Sequence, residues 1–306
     1  MRGGRSTMSC GRRREAAVTN QDGFETINTV KANLDHIYNR PDPRAYFREL
    51  RKLDYDIPGA AKPVFQTLIA HLQQRNPDAL HVLDLGCSYG VNAALLKCDM
   101  TMPELYDHWD QPQIADAAPE QVLERDRRYF DGLDQPDDLR MIGLDRANHA
   151  VAFGEETGLL DGGVVANLET RPLPEQAHQD LAPVELVIST GCVGYVTEKS
   201  FDRLLPAVSQ GRPPWFANFV LRLFPFERIA DSLSDWGYVT EKLEGRTFAQ
   251  RRFVSEDEQQ MVLDRLQEHG VDPTGKETDG HLHAEFFLSR PAREAAELPL
   301  SRLLDA

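Results

Sequence analysis

The stretch that most constrains the fold is HVLDLGCSYGVNAAL, residues 81–95. An apolar run carrying Asp84 near its end breaks at two glycines, Gly86 and Gly90, and continues as a helix. Glycine lets the backbone turn sharply and approach a bound molecule with no Cβ in the way. An acid at the strand end can accept hydrogen bonds from an amine or from neighbouring amides. A glycine turn that merely joins strand to helix is the plainer reading of the motif alone.

The surrounding pattern places that turn in a sheet. Residues 23–75 read as helical, with FETINTVKANLDHIYN and PVFQTLIAHLQQ spacing apolar positions three and four apart around the proline-marked RPDPRAYFRELRKLDYDIPG. From residue 80 onward, short apolar runs alternate with helical stretches, which predicts a mostly parallel sheet covered by helices. Seven strands are expected, in LHVLDLG, RMIGLD, GGVVANLE, VELVIST, WFANFVLRLF, TFAQRRFVS and HLHAEFFLS, the last two as an antiparallel excursion. The segment between the first two strands is too long for an ordinary crossover and reads as an inserted helical cap. The expected division is a disordered tail over 1–20, a helical cap over 21–75, a sheet domain over 76–292 with an insertion at 99–140, and a tail over 293–306.

Composition narrows the partners. A net charge of −15 and a pI near 5.0 oppose a broad phosphate-binding surface, so no nucleic acid is expected and a small molecule is the expected ligand. Cys10, Cys87, Cys98 and Cys192 show no CxxC spacing, which argues against a disulfide framework or structural zinc. The opening residues lack the apolar core of an export signal, and no run approaches the roughly 20 residues that cross a bilayer. A cytoplasmic protein without membrane association is therefore expected.

The second strand repeats the theme. RMIGLD ends in Asp145, placed to hold both hydroxyls of a ribose, although helix capping alone would also account for an acid there. A dinucleotide dehydrogenase fits less well, because G-x-G-x-x-G is absent and Tyr89 would crowd a pyrophosphate.

VLDLGCSYG resembles the nucleoside-binding motif of class I S-adenosylmethionine-dependent methyltransferases, with Asp84, Gly86 and Gly90 on its acid-x-Gly-x-x-x-Gly pattern. IGLD resembles that family's ribose-binding strand, ANLE its adenine-contacting loop, LVISTG the strand that opens on the reaction centre, and HAEFFLSRP its last antiparallel strand. The resemblance spans roughly residues 60–291. It implies a Rossmann-like α/β fold, with a seven-stranded, mostly parallel sheet whose last strand is antiparallel, plus an N-terminal helical lid. It further implies S-adenosylmethionine as cofactor, held by Asp84, Gly86, Cys87, Ser88, Gly90, Asp145, Arg146, Asn167, Leu168, Ser189 and Thr190.

Methyl transfer needs an acceptor held in line with the methyl carbon and water kept out, and aromatic faces stabilise a sulfonium without attacking it. Tyr195, past the fourth strand, and Tyr38 in the preface are the candidates for this, against a plain role anchoring loops. Arg44 and Tyr46 are expected beside the cofactor and Arg222 as a carboxylate clamp, with a surface ion pair as the alternative for Arg44 and solvation at the sheet rim for Arg222. Two patterns are set aside. RPPWF resembles the proline-proline-aromatic motif of amino-methylating enzymes, but Arg212 stands where an amide or acid is required; His281, His283 and Glu285 read as the wet face of a strand and not as metal ligands. IYNRPDPRAYF and MTMPELYDHW also resemble azetidine-2-carboxylate synthases, which implies a second chemistry: the cofactor's own amine attacks its side chain and expels methylthioadenosine. A cofactor-binding scaffold without catalysis is the third reading.

Overall fold

The structure, a computed structural model, describes residues 36–75 and 78–304. The tail over 1–20, with Cys10, and all but the end of the helix expected over 24–39 lie outside the described residues.

Helix α1 (Arg44–Arg51) starts after Pro43, where the Asp42 carboxylate accepts the Arg44 amide at 3.1 Å, and buries Tyr46, Phe47 and Leu50. Helix α2 (Ile57–Gln73) carries a proline in its first turn, where no intrahelical donor is lost. Its buried positions 57, 61, 64, 65, 68, 69 and 72 form one stripe against the sheet, with Phe65 edge-on to Phe219 at 5.3 Å.

Strand β1 (Leu80–Leu85) leads through the glycine turn into α3 (Val91–Lys97). The insertion then contributes α4 (Met102–Trp109), opened by a Thr101/Glu104 capping box, and α5 (Pro119–Asp131). These helices are joined to each other and to α1 by specific contacts. The buried Asp126 carboxylate accepts from His108 Nε2 and Trp109 Nε1, each at 2.8 Å, and Trp109 stacks on Phe47 at 4.3 Å.

Alternation then proceeds through β2 (Leu139–Asp145), α6 (Asn148–Glu156), β3 (Gly162–Val165), α7 (Glu175–Leu181), β4 (Val184–Thr190), α8 (Glu198–Val208) and β5 (Trp215–Leu221). It closes with α9 (Glu227–Asp235), β6 (Tyr238–Lys242), β7 (Phe248–Arg252), α10 (Glu256–Glu268), β8 (His281–Pro291), α11 (Ala292–Glu297) and α12 (Leu300–Leu304). The sheet runs β3-β2-β1-β4-β5-β8-β6, and β7 pairs with β8 off that path. Strands β1 to β5 are mutually parallel, while β8 is antiparallel to β5, β6 and β7. This is the Rossmann-like order, with seven strands on its path and the last strand in sequence reversed.

One detail differs from the sequence reading. The outermost position belongs to β6, and β7 occupies the same flank of the long β8 further along. Strand β8 is consequently an interior strand with alternate residues buried. Along β1, Val82 packs towards α2 and Leu83 towards α8 and α9, so successive side chains feed two cores, one on each face.

Candidate functional site

Chain direction around the sheet reverses between β1 and β4, which are neighbours although two strands separate them in sequence. Beyond the carboxyl ends of such strands lies the usual ligand crevice. A cleft of about 970 Å³ opens there.

Its floor is the glycine turn. Gly86 has φ +81°, and a Cβ on it would stand 2.7 Å from Cys192 Cβ, so only a bare backbone fits. Beneath the turn Asp84 is fully buried: Oδ1 accepts from Asn92 Nδ2 at 2.9 Å, while Oδ2 has no hydrogen-bond partner. Burial raises its pKa to about 7, with a smaller push from Asp145, against the lowering by Asn92. Asn92 Nδ2 also donates to Thr190 Oγ1 at 3.2 Å, joining β1 to the tip of β4.

Asp145 lines the cleft from the tip of β2. It accepts the Ser88 amide at 2.9 Å and the Ala147 amide at 3.0 Å, so it fixes the glycine turn and the tight turn that leads into α6. Burial raises its pKa, and those backbone donors oppose the shift. Arg146, Asn167 and Leu168 line the adjoining wall, where Asn167 Oδ1 accepts the Glu169 amide at 3.1 Å. Glu169 in turn accepts from the Thr197 amide and hydroxyl and from the Ser200 hydroxyl, at 2.6–2.9 Å, tying this loop to the start of α8.

The opposite wall is aromatic. Tyr38, Tyr46, Tyr55 and Tyr195 face the cleft, with Tyr46 edge-on to Tyr38 at 5.6 Å and to Tyr55 at 6.4 Å. Burial raises the pKa of both Tyr46 and Tyr55, so these rings present neutral phenols at physiological pH.

Tyr89 explains how the preface reaches this place. It is buried and turned away from the cleft; its hydroxyl accepts the Arg40 amide at 2.8 Å and lies 3.2 Å from the Ile37 carbonyl. Asn39 adds a second tie, accepting the His149 amide at 2.9 Å. Tyr89→Phe is expected to destabilise the protein by about 1–2 kcal/mol and to speed amide exchange at residues 38–40. Unchanged exchange there would remove Tyr89 as the clamp.

The structure brings Tyr38, Tyr46, Tyr195, Gly86, Ser88, Asp145, Arg146, Asn167, Leu168 and Thr190 to one cleft, and Asp84 lies directly below it. Five expected site residues are elsewhere. Arg222 binds Glu277 at 2.6 Å and the Asp272 carbonyl at 2.7 Å, because β5 delivers it to the 272–277 loop and not to the cleft. Arg44 is held by Asp42 at 2.8 Å and by the Ile114 and Ala115 carbonyls, joining α1 to the insertion. Ser189 donates to Asn218 at 2.8 Å inside the sheet. Cys87 turns into the core, where the missing Cβ of Gly143 makes room for its sulfur. Gly90, at φ +79°, starts α3 against Leu159.

Of the patterns set aside, Glu285 pairs with Lys242 at 2.9 Å and His283 contacts Thr247, while Arg212 sits near Glu185 and Glu294. Sequence reasoning missed Tyr55, Gln250 and Arg251, which also line the cleft. No described helix is long and apolar enough to cross a membrane.

No family model and no curated protein matches the chain. Among solved structures, the plantazolicin methyltransferase in complex with SAH is 11% identical, with 88% of this chain and 98% of that chain covered at a TM-score of 0.41. A TehB-like SAM-dependent methyltransferase from Corynebacterium glutamicum is 13% identical, with 88% and 98% covered at 0.36. The magnesium protoporphyrin IX methyltransferase from Synechocystis PCC 6803 with bound SAM is 10% identical, with 76% and 80% covered at 0.35.

Proposed function

We propose that the protein is an S-adenosylmethionine-dependent enzyme acting on a small molecule, and that its reaction is methyl transfer. The observation that carries this reading is the pairing of two features in one cleft. A carboxylate, Asp145, stands at the tip of β2 beside the bare backbone of Gly86, and a wall of tyrosines faces them.

The residues fit the cofactor by their chemistry. Asp145 supplies acceptor lone pairs for ribose hydroxyls, and Gly86 lets a nucleoside lie against the main chain. Ala166, Asn167, Leu168 and Pro172 offer a largely apolar edge for a base. Asp84, with one unpartnered oxygen, supplies negative potential at the end of β1. The cofactor contributes a cationic sulfonium bearing an electrophilic methyl group. Tyr38, Tyr46, Tyr55 and Tyr195 suit such a cation, since their faces attract it, and the phenols of Tyr46 and Tyr55 stay protonated. The cleft volume stands at the upper end of the roughly 300–1,000 Å³ common for small-molecule sites, which supports a second substrate beside the nucleoside.

In this reading, the preface (residues 36–73), which lends Tyr38, Tyr46 and Tyr55 to the cleft, shapes the acceptor side and excludes water, and the insertion (102–131) braces it from behind. Calorimetry with S-adenosylhomocysteine tests the binding half: absence of binding overturns the reading. Incubation with S-adenosylmethionine tests the chemistry. S-adenosylhomocysteine formed only once an acceptor is supplied supports methyl transfer. Methylthioadenosine formed from the cofactor alone would assign self-cyclisation instead, and binding without turnover across acceptors would leave a scaffold.

A further inference from the structure

Strand β7 is irregular where it meets the cleft. Ala249 pairs with His283 and Arg251 with Leu282, so Gln250 is left outside the ladder as a bulge. In a regular strand residues 250 and 251 would face opposite sides of the sheet; here both line the cleft. The bulge is locked from outside the sheet. The Asp56 amide donates to the Gln250 carbonyl at 2.9 Å, and the Arg252 amide donates to the Leu53 carbonyl at 2.7 Å, so the loop that carries Tyr55 holds β7 in place.

The Gln250 side chain is 4% exposed, and its Oε1 has no hydrogen-bond partner. It lies across the tip of β4, where a Cβ on Gly191 would stand only 3.2 Å from its Nε2. Two more buried oxygens at this end of the site are also unpartnered, Asp84 Oδ2 and Asn92 Oδ1, and Asn92 bonds Thr190, the neighbour of Gly191. The nearby cation does not supply them: the Arg251 guanidinium is consumed by Glu258 through two bonds at 2.9 and 2.6 Å. A buried carbonyl without a donor costs about 1–3 kcal/mol. A surplus of acceptors beside tyrosine rings calls for a ligand group rich in N–H donors and positively charged, which describes an ammonium.

We propose that Gln250 is a specificity-determining residue that accepts a hydrogen bond from the ammonium of the cofactor's amino-acid tail. The proposal rests on the cofactor assignment above. It distinguishes ligands that carry the tail from those that end at the thioether.

Calorimetry on the full chain tests it with S-adenosylhomocysteine, its deamino analogue and methylthioadenosine. Gln250→Leu is expected to weaken S-adenosylhomocysteine about tenfold, as loss of a hydrogen bond to a charged group does. Methylthioadenosine should change less than about twofold, and Gln250→Glu, which keeps an acceptor oxygen, should hold S-adenosylhomocysteine near the wild-type affinity. In the wild type the deamino analogue should bind about tenfold more weakly than S-adenosylhomocysteine, a comparison that stands even if the leucine variant fails to fold. Equal affinity for those two ligands, or an equal loss on all three in Gln250→Leu, overturns the role of Gln250. A wild type that binds none of them overturns the cofactor assignment itself.

Discussion

Asp145→Ala is expected to raise the dissociation constant for S-adenosylhomocysteine at least about a hundredfold while leaving a folded protein. A carboxylate that accepts two ribose hydroxyls makes two charge-assisted hydrogen bonds, each worth roughly 1.5–3 kcal/mol, and a hundredfold is about 2.7 kcal/mol. The folding cost is smaller. The Ser88 and Ala147 amides lose their acceptor, and the latter is a local turn contact of about 1 kcal/mol. The two roles of Asp145 thus separate by measurement. If it served only to fix the glycine turn and the turn before α6, the variant would melt earlier yet bind the nucleoside as tightly as the wild type. That second outcome, read by calorimetry at a temperature where the variant is folded, would remove the nucleoside from the tip of β2.

The expected site residues that the structure gathers at the cleft are those whose position follows from local pattern. A glycine turn after an apolar run, and an acid closing the next run, mark strand ends wherever the rest of the chain goes, so Gly86, Ser88 and Asp145 meet at the cleft. Arginines carry no such mark. Arg44 opens α1 and Arg222 directly follows β5, but their partners, the Ile114 carbonyl and Glu277, are 70 and 55 residues distant in sequence. Which carboxylate or carbonyl a long cation finds is decided by tertiary packing. Strand β6 escaped notice for a related reason: YVTEK is short, and only Tyr238 in it is buried, as befits an edge strand. The bulge at Gln250 had no signal at all, because it is a property of the pairing between β7 and β8 and of the loop that braces it.

Asp84 links the stability of the fold to the function proposed for it, and the two are expected to respond to pH in opposite directions. Its carboxyl has an ordinary pKa near 3.8 and about 7 in the fold, with burial the main cause. The native state therefore holds a proton that the unfolded state releases between those values, and stability falls as pH rises through that window. The loss is absent below about pH 4 and complete above about pH 7; a shift of this size is on the order of 4 kcal/mol. Asp84→Asn keeps an oxygen for Asn92 and removes the charge, so wild type and variant should unfold alike in urea below about pH 4, and the variant should be the more stable at pH 8. Binding should run the other way. The ionised carboxylate favours a cation, so the preference of the wild type for S-adenosylmethionine over the uncharged thioether of S-adenosylhomocysteine should grow from pH 6 to 8, and the asparagine variant should lose that growth. Urea midpoints that stay parallel from pH 4 to 8 would show that Asp84 is already ionised in the fold, with no carboxylate held in reserve for a positively charged ligand. If the midpoints diverge, the acid at the end of β1 weakens the empty protein at neutral pH and recovers that free energy when the cation binds, which gives a physical reason for keeping an unpaired charge in the core.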